Sequence, residues 1–178
     1  MTLRRRSVPA SVRSAAWISR SPRANRCARR PRCGQDRTQV IILDTNVVSE
    51  LMKSAPDVAV AHWIAGHQAT TLYTTSVTQA EVLHGILLLP SGKRRAALEA
   101  AAGEMFDRDF GGRVLPFGTD AARAYAQIAS QRRRSGRPIS AFDAQIAAIT
   151  RISRAAIATR NVGDYDDCGI KVMNPWDA

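Results

Sequence analysis

Four consecutive aliphatic residues, Val40, Ile41, Ile42 and Leu43, run into an acid, Asp44, and the chain then turns at once to Thr45-Asn46-Val47-Val48, which reads as the start of a helix. No polar residue alternates within the run. A strand of this kind is covered on both faces, the situation of a central strand in a parallel sheet packed between helices. Ligand sites in such sheets lie beyond the strand C-termini, so Asp44 is a site candidate by position alone. An Asp followed by Thr-Asn is also good helix-capping chemistry. Both readings stand here, and the placement of the later acids decides between them.

The charge has to be divided along the chain before it is used. The 178 residues carry a formal +11, but residues 1–39 hold eleven arginines against one acid, Asp36, and the rest is close to neutral. A segment rich in Arg, Ser, Pro and Ala with few aliphatic residues buries too little surface to offset the entropy of ordering. Residues 1–38 are therefore expected to be a disordered Arg-rich tail, and residues 39–178 one folded domain. The tail reads as a basic arm attracted to phosphates, as an organelle transit peptide, or as sequence upstream of a true start near Val40. No stretch approaches the ~18–20 apolar residues of a membrane span. Arginines interrupt every candidate signal-peptide core, and the expected location is the cytoplasm. Cys27, Cys33 and Cys168 are odd in number and imply no disulfide framework. A zinc site joining Cys27 and Cys33 to His62 and His67 has the wrong loop lengths.

Beyond the first strand, the spacing predicts a short helix over residues 45–53 and another after Pro56-Asp57 that turns Val58, Val60, Trp63 and Ile64 inward. Residues 71–75 read as a strand. Residues 76–89 read as a helix with Val77, Ala80, Leu83, Leu87 and Leu88 on one face, which leaves Glu81 at the edge of that face. A carboxylate there must be paired, ligated or partly solvated. A long helix with a charged face, including Glu99, Glu104, Asp107 and Asp109, stops at Gly111-Gly112. A strand over 113–117 leads to a helix capped by Thr119, with Asp120 in its first turn, where the helix dipole favours an acid. The basic run Arg132, Arg133, Arg134 and Arg137 suits either the C-terminal end of that dipole or a phosphate. Ser140 caps the next helix, with Asp143 in its first turn and Ala141, Ala144, Ala147 and Ala148 small enough for close packing. A strand over 155–159 is followed by a loop holding Asp164, and residues 170–173 form the last strand.

Asp44 and Asp164 trail strands, Asp143 opens a helix and Glu81 sits inside one; in a parallel sheet three of these map to the same C-terminal edge. Several acids without a basic partner repel, which argues for a cation between them. Oxygen donors with no histidine suit Mg²⁺, which keeps several waters and takes one or two carboxylates directly, and do not suit Zn²⁺.

Four segments carry a resemblance: Ile41-Ile-Leu-Asp-Thr-Asn-Val-Val-Ser-Glu50, Thr78-Gln-Ala-Glu-Val-Leu-His-Gly-Ile86, Ser140-Ala-Phe-Asp-Ala-Gln-Ile-Ala-Ala148, and Ala158-Thr-Arg-Asn-Val-Gly-Asp-Tyr165 with Asn174-Pro-Trp176. In this order, across residues 40–178, they resemble the PIN-domain family, and within it the VapC-type, FitB-like toxin branch. Tyr165 stands where Phe is more usual, Arg154-Ala155 fills a turn where Gly is common, and residues 1–38 have no counterpart. The resemblance implies a three-layer α/β/α PIN-like fold with a mainly parallel central sheet. It also implies a Mg²⁺-dependent endoribonuclease, Mn²⁺ being a substitute, that acts as the toxin of a type II toxin–antitoxin pair. Asp44, Glu81, Asp143 and Asp164 are then the acidic site. Asp44 and Asp143 are the expected direct metal ligands, and Glu81 and Asp164 bind directly or through water. Asn46, Thr159 and Asn161 are supporting residues, and Asp120 is a further candidate. The implied partners are RNA, a VapB-type antitoxin and a second copy of the chain.

Two other classes compete. A non-catalytic PIN-like module that binds RNA or protein would be signalled by a missing acid, and none is missing. A phosphoacceptor receiver domain needs a lysine beside its acid pocket, and none of Lys53, Lys93 and Lys171 follows a plausible core strand in the required place.

Overall fold

The computed structural model describes residues 39–178; the tail expected over 1–38 lies outside the described residues. Five strands, β1 (Ile41–Leu43), β2 (Leu72–Thr75), β3 (Val114–Leu115), β4 (Ala156–Ala158) and β5 (Lys171–Met173), form one sheet in the order β3-β2-β1-β4-β5. Every pairing is parallel. The run ending at Leu43 is thus the central strand, with Ile41 paired to both Leu72 and Ala156. All the strands end on one edge, so the residues after Leu43, Thr75 and Ala158 converge there.

Strand alternation divides the core between the two faces of the sheet. Ile41 and Leu43 pack with Val47, Val48 and Leu51 of α1 (Thr45–Leu51), Val60, Trp63 and Ile64 of α2 (Val58–Ala65), and Ala102 near the end of α4 (Lys93–Glu104). Ile42 faces the other way, onto Ala121, Ala124 and Ile128 of α5 (Thr119–Arg134) and Ile146, Ala147 and Ile149 of α6 (Ala141–Ile152). This is the expected three-layer α/β/α arrangement. Glu50 fixes the α1–α2 connection: its carboxylate accepts from Lys53 Nζ at 2.7 Å and from the Asp57 N–H at 3.0 Å.

The inward face of α3 (Ser76–Leu87) differs from expectation. Val77, Thr78, Val82 and Ile86 are buried and Leu83 is half-buried, while Ala80 is exposed and Leu87 and Leu88 are 54% and 71% exposed. Thr75 caps this helix through Oγ1 and shares a buried hydrogen bond with Thr78, which fixes the rotation so that residues 78, 82 and 86 share the inner stripe. Hydrophobicity alone had weighted the leucines over that threonine. Val58, expected inside, is the first residue of α2 and lies exposed. Gly118 rather than Thr119 occupies the cap position of α5. The 91–109 helix is α4 followed by a π turn over Met105–Asp109.

Arg132, read from the sequence as a charge for the helix dipole or for a phosphate, is turned into the protein. It is 4% exposed, and its Nη1 donates to the Asp166 carbonyl at 2.6 Å. Arg137 pairs with Asp166 and Asp167. Together they tie the segment after β4 to the end of α5.

The turn at Arg154 adopts φ 51°, a left-handed conformation that a residue with a Cβ adopts at a cost. The Ala155 N–H donates to the Thr150 carbonyl at 3.1 Å and the Arg154 N–H to the Arg151 carbonyl at 3.2 Å, the pair of bonds that closes a helix through a left-handed residue. At the end of α5 the same pattern uses Gly136, at φ 73°. Arg154→Gly should therefore raise stability by about 0.5–1 kcal/mol in urea unfolding, the gain being reduced by the extra freedom of glycine in the unfolded chain. A loss of stability would show that the Arg154 side chain makes contacts that outweigh the strain.

Candidate active site

Asp44 lies one residue beyond the central strand and is 5% exposed. It is a helix cap and also the centre of a cluster, so the two sequence readings are compatible. Its Oδ1 accepts from the Thr45 N–H at 2.8 Å and the Tyr165 hydroxyl at 3.1 Å. Its Oδ2 accepts from Thr159 Oγ1 at 2.7 Å and Asn46 Nδ2 at 3.0 Å. These donors come from α1, from the residue after β4, and from the short 3-10 turn Val162–Tyr165, so three elements hold one carboxylate. Asn46 also donates to Thr159 Oγ1 at 2.9 Å and accepts from the Arg160 N–H at 3.1 Å, which locks the start of α1 to the end of β4. Asn161 contributes its N–H to Thr159 Oγ1 at 3.1 Å.

Glu81 enters from α3, half-buried, and accepts from Thr45 Oγ1 at 2.6 Å. Thr45 therefore serves two acids, with its N–H on Asp44 and its hydroxyl on Glu81. Asp143 comes from the first turn of α6. Ser140 caps that turn by accepting from the Asp143 N–H at 3.1 Å, and its hydroxyl donates to Asp143 Oδ2 at 2.6 Å. The Tyr165 oxygen lies 3.5 Å from Asp143 Oδ1.

Burial first, and the charge of Asp143 in addition, push the Asp44 carboxyl above its ordinary range, against the hydrogen bonds from Thr159, Thr45 and Tyr165. Glu81 is pushed up by burial and by Asp44 and Asp143, against its bond from Thr45. Burial and the neighbouring Asp44 and Asp143 charges raise the Tyr165 phenol far beyond its usual value, so it is a neutral donor at all working pH values. Among the described residues, no salt bridge reaches Asp44, Glu81 or Asp143. Three acids thus share one corner of the sheet edge without a counter-charge.

A divalent cation fits this donor set in chemistry: the donors are hard oxygens, and two of them, Asp44 Oδ1 and Asp143 Oδ1, lie within 3.5 Å of one hydroxyl oxygen. Among the described residues, no three acidic, histidine or cysteine side chains close into a cage. An open set of this kind suits a hydrated ion with one or two direct carboxylates rather than a fully dehydrated one.

Of the residues expected at the site, Asp44, Glu81 and Asp143 are brought together, and Asn46, Thr159 and Asn161 support Asp44. Asp164 follows β4 as expected but is exposed in the 3-10 turn, and its neighbour Tyr165 is the residue that turns inward. Asp120 is exposed and lies 3.8 Å from Arg123 on its own helix. Thr45 and the Tyr165 hydroxyl were not anticipated. The signal for each was adjacency, since each is a hydroxyl-bearing residue directly after a candidate acid.

Residues 41–163 match the PIN domain family. The chain is 40% identical over 139 residues to the VapC ribonuclease Y4jK of Sinorhizobium fredii, covering 78% of this chain and 99% of that protein. It is 35% identical over 137 residues to the toxin FitB of Neisseria gonorrhoeae, covering 77% and 99%. Its fold superimposes on the crystal structure of FitAcB from Neisseria gonorrhoeae with a TM-score of 0.73 at 34% identity, covering 78% of this chain and all of the matched one.

Proposed function

The chain belongs to the PIN-domain family, and from that premise we propose that it is a Mg²⁺-dependent endoribonuclease acting as the toxin of a toxin–antitoxin pair. The observation that carries the reading is the cluster of Asp44, Glu81 and Asp143, uncompensated by any basic side chain among the described residues, at the C-terminal edge of a parallel sheet. Its likeness to a VapC ribonuclease and to the toxin FitB supports both the nuclease and the toxin parts.

Asp44 and Asp143 would hold the cation. When bound, Mg²⁺ supplies charge neutralisation at the scissile phosphate and makes water a better nucleophile near neutral pH. Asp44 is suited to hold it because its donors fix both oxygens before any ligand arrives. Among the described residues Glu81 has a single donor, Thr45, which leaves lone pairs to take the proton of an attacking water. Its raised affinity for protons, set by burial and the two aspartates, favours that role. Asp164, exposed at the rim, would reach the ion through water. Asn46, Thr159 and Asn161 keep Asp44 in place.

The expected partner is a small antitoxin whose basic side chain enters the acid cluster, where it would supply the missing counter-charge. No helix among the described residues is long and apolar enough to cross a membrane.

The isolated chain should cut RNA in Mg²⁺ and stop in EDTA, with Mn²⁺ restoring activity. Cleavage indifferent to EDTA would remove the metal from this account. RNA binding without cleavage in either ion would leave a non-catalytic binding module. An antitoxin whose inhibition survives charge reversal throughout its C-terminal segment would remove the basic-insertion element.

A further inference from the structure

We infer that Tyr165 is a positioning residue for the cation: its hydroxyl sets the Asp44 and Asp143 carboxylates toward a common ligand. The inference rests on the reading that the acid cluster holds a divalent ion.

Tyr165 is 1% exposed, with its ring in the apolar layer that includes Ile42, Ile146 and Ile157, so the ring cannot move aside without opening the core. Its backbone is held on the C-terminal side. Its carbonyl accepts from the Cys168 N–H at 3.2 Å, and the next carbonyl, of Asp166, accepts from the buried Arg132 guanidinium at 2.6 Å. The ring thus delivers the hydroxyl to a fixed point on the core side of the cluster, 3.1 Å from Asp44 Oδ1 and 3.5 Å from Asp143 Oδ1.

A hydroxyl carries one proton, so it donates to one carboxylate at a time, and the shorter contact makes Asp44 the main acceptor. A neutral donor between two anions reduces their mutual repulsion without adding a positive charge that would compete with a metal ion. Lysine or arginine in its place would neutralise the cluster permanently. Asp143, held by Ser140 on its other oxygen, lies beside the same hydroxyl, so the two aspartates, one capping α1 and one in the first turn of α6, are referred to one rigid ring. Hydrogen bonds of this type to ligating carboxylates change metal affinity by roughly 10- to 100-fold when removed.

The test is a Mn²⁺ titration of the full chain followed by electron paramagnetic resonance of the free ion, for wild type and Tyr165→Phe, with circular dichroism as the check on folding. Phenylalanine keeps the ring and removes only the hydroxyl. Mn²⁺ affinity should fall roughly ten-fold with the fold intact. Unchanged affinity would remove the positioning role, and tighter binding would show that the hydroxyl competes with the ion. Wild-type protein that bound no Mn²⁺ would instead overturn the metal reading itself, which the titration reports separately.

A second measurement does not depend on the variant folding. Wild-type protein labelled with 3-fluorotyrosine has resonances from Tyr73, Tyr125 and Tyr165, assigned by elimination with Tyr73→Phe and Tyr125→Phe. The Tyr165 fluorine should shift in step with Mg²⁺ saturation. A Tyr165 signal that stays still while Mg²⁺ binds would overturn the inference.

Discussion

Asp143→Asn is expected to abolish Mg²⁺-dependent RNA cleavage while leaving the protein folded. The amide is nearly isosteric, and among the described residues the side-chain donors to this carboxylate are the hydroxyls of Ser140 and Tyr165. Both can rotate their proton toward another acceptor, so no buried donor is stranded. Removing one of three mutually repelling charges offsets whatever hydrogen bonding is lost. Asp44→Asn should be equally inactive but less benign to the fold. Asp44 accepts from Thr45 and Tyr165 on one oxygen and from Asn46 and Thr159 on the other, so an NH₂ group on either side faces donors. One unsatisfied buried contact of this kind costs about 1–3 kcal/mol, set against the relief of repulsion. Cleavage of a labelled RNA at saturating Mg²⁺, together with thermal melts, separates the two effects. Near wild-type cutting by a folded Asp143→Asn protein would sink the assignment of Asp143 as a ligand.

The difference between these two aspartates shows what the sequence could and could not convey. That Asp44 sits at a strand end was legible, because Ile41, Ile42 and Leu43 are β-branched or aliphatic with no polar interruption, which argues for a doubly covered strand. That Ser140 caps α6 with Asp143 in its first turn was legible from capping chemistry. The density of donors around Asp44 was not. Tyr165 and Thr159 reach it from more than a hundred positions away, and only the pairing of β1 with β4 brings them there.

The errors have a common physical origin. Leu87 and Leu88 were placed inside because they are apolar, yet the rotation of α3 is fixed by the Thr75–Thr78 pair at its start. The sequence reads Arg132 as a charge for the helix dipole or for a phosphate, yet its long side chain lies buried and reaches a loop carbonyl. In both cases a specific hydrogen bond, a local capping contact at Thr75–Thr78 and a tertiary one from Arg132 to the Asp166 carbonyl, decides an orientation that hydropathy alone does not. The 3-10 turn after Asn161 is similar. Alternation gave Asp164 and Tyr165 no preferred order of burial, and the turn directs the tyrosine inward. The left-handed turn at Arg154, by contrast, was foreshadowed by the absence of a glycine where similar chains have one.

Without metal, the folded protein should lose stability as pH rises above the ordinary carboxylate range, and Mg²⁺ should restore it. Asp44 and Glu81 both take up protons more readily in the fold than in the unfolded chain, where carboxylates titrate near about 4. Between those values the native state holds more protons than the unfolded one, so stability declines as pH increases. The contribution is fully present below the ordinary carboxylate range and is lost as pH rises through the raised values. A cation reverses the sign of the problem, because it prefers the ionised carboxylates. At a hundred times its dissociation constant a ligand specific to the native state adds about 2.7 kcal/mol. For a domain of this size that corresponds to a rise in melting temperature on the order of 10 °C. The Mg²⁺-induced shift should therefore be larger at neutral pH than in the ordinary carboxylate range, at about 4, where protons suppress the repulsion. Asp143→Asn should reduce the pH dependence of the metal-free protein in part, because burial, the main upward pressure on Asp44 and Glu81, remains while the charge of Asp143 is gone. Scanning calorimetry at both pH values, with Mg²⁺ and with EDTA, measures all of these. If the Mg²⁺ shift were the same at both pH values, and the pH slope the same in wild type and Asp143→Asn, the ion would be binding away from these acids.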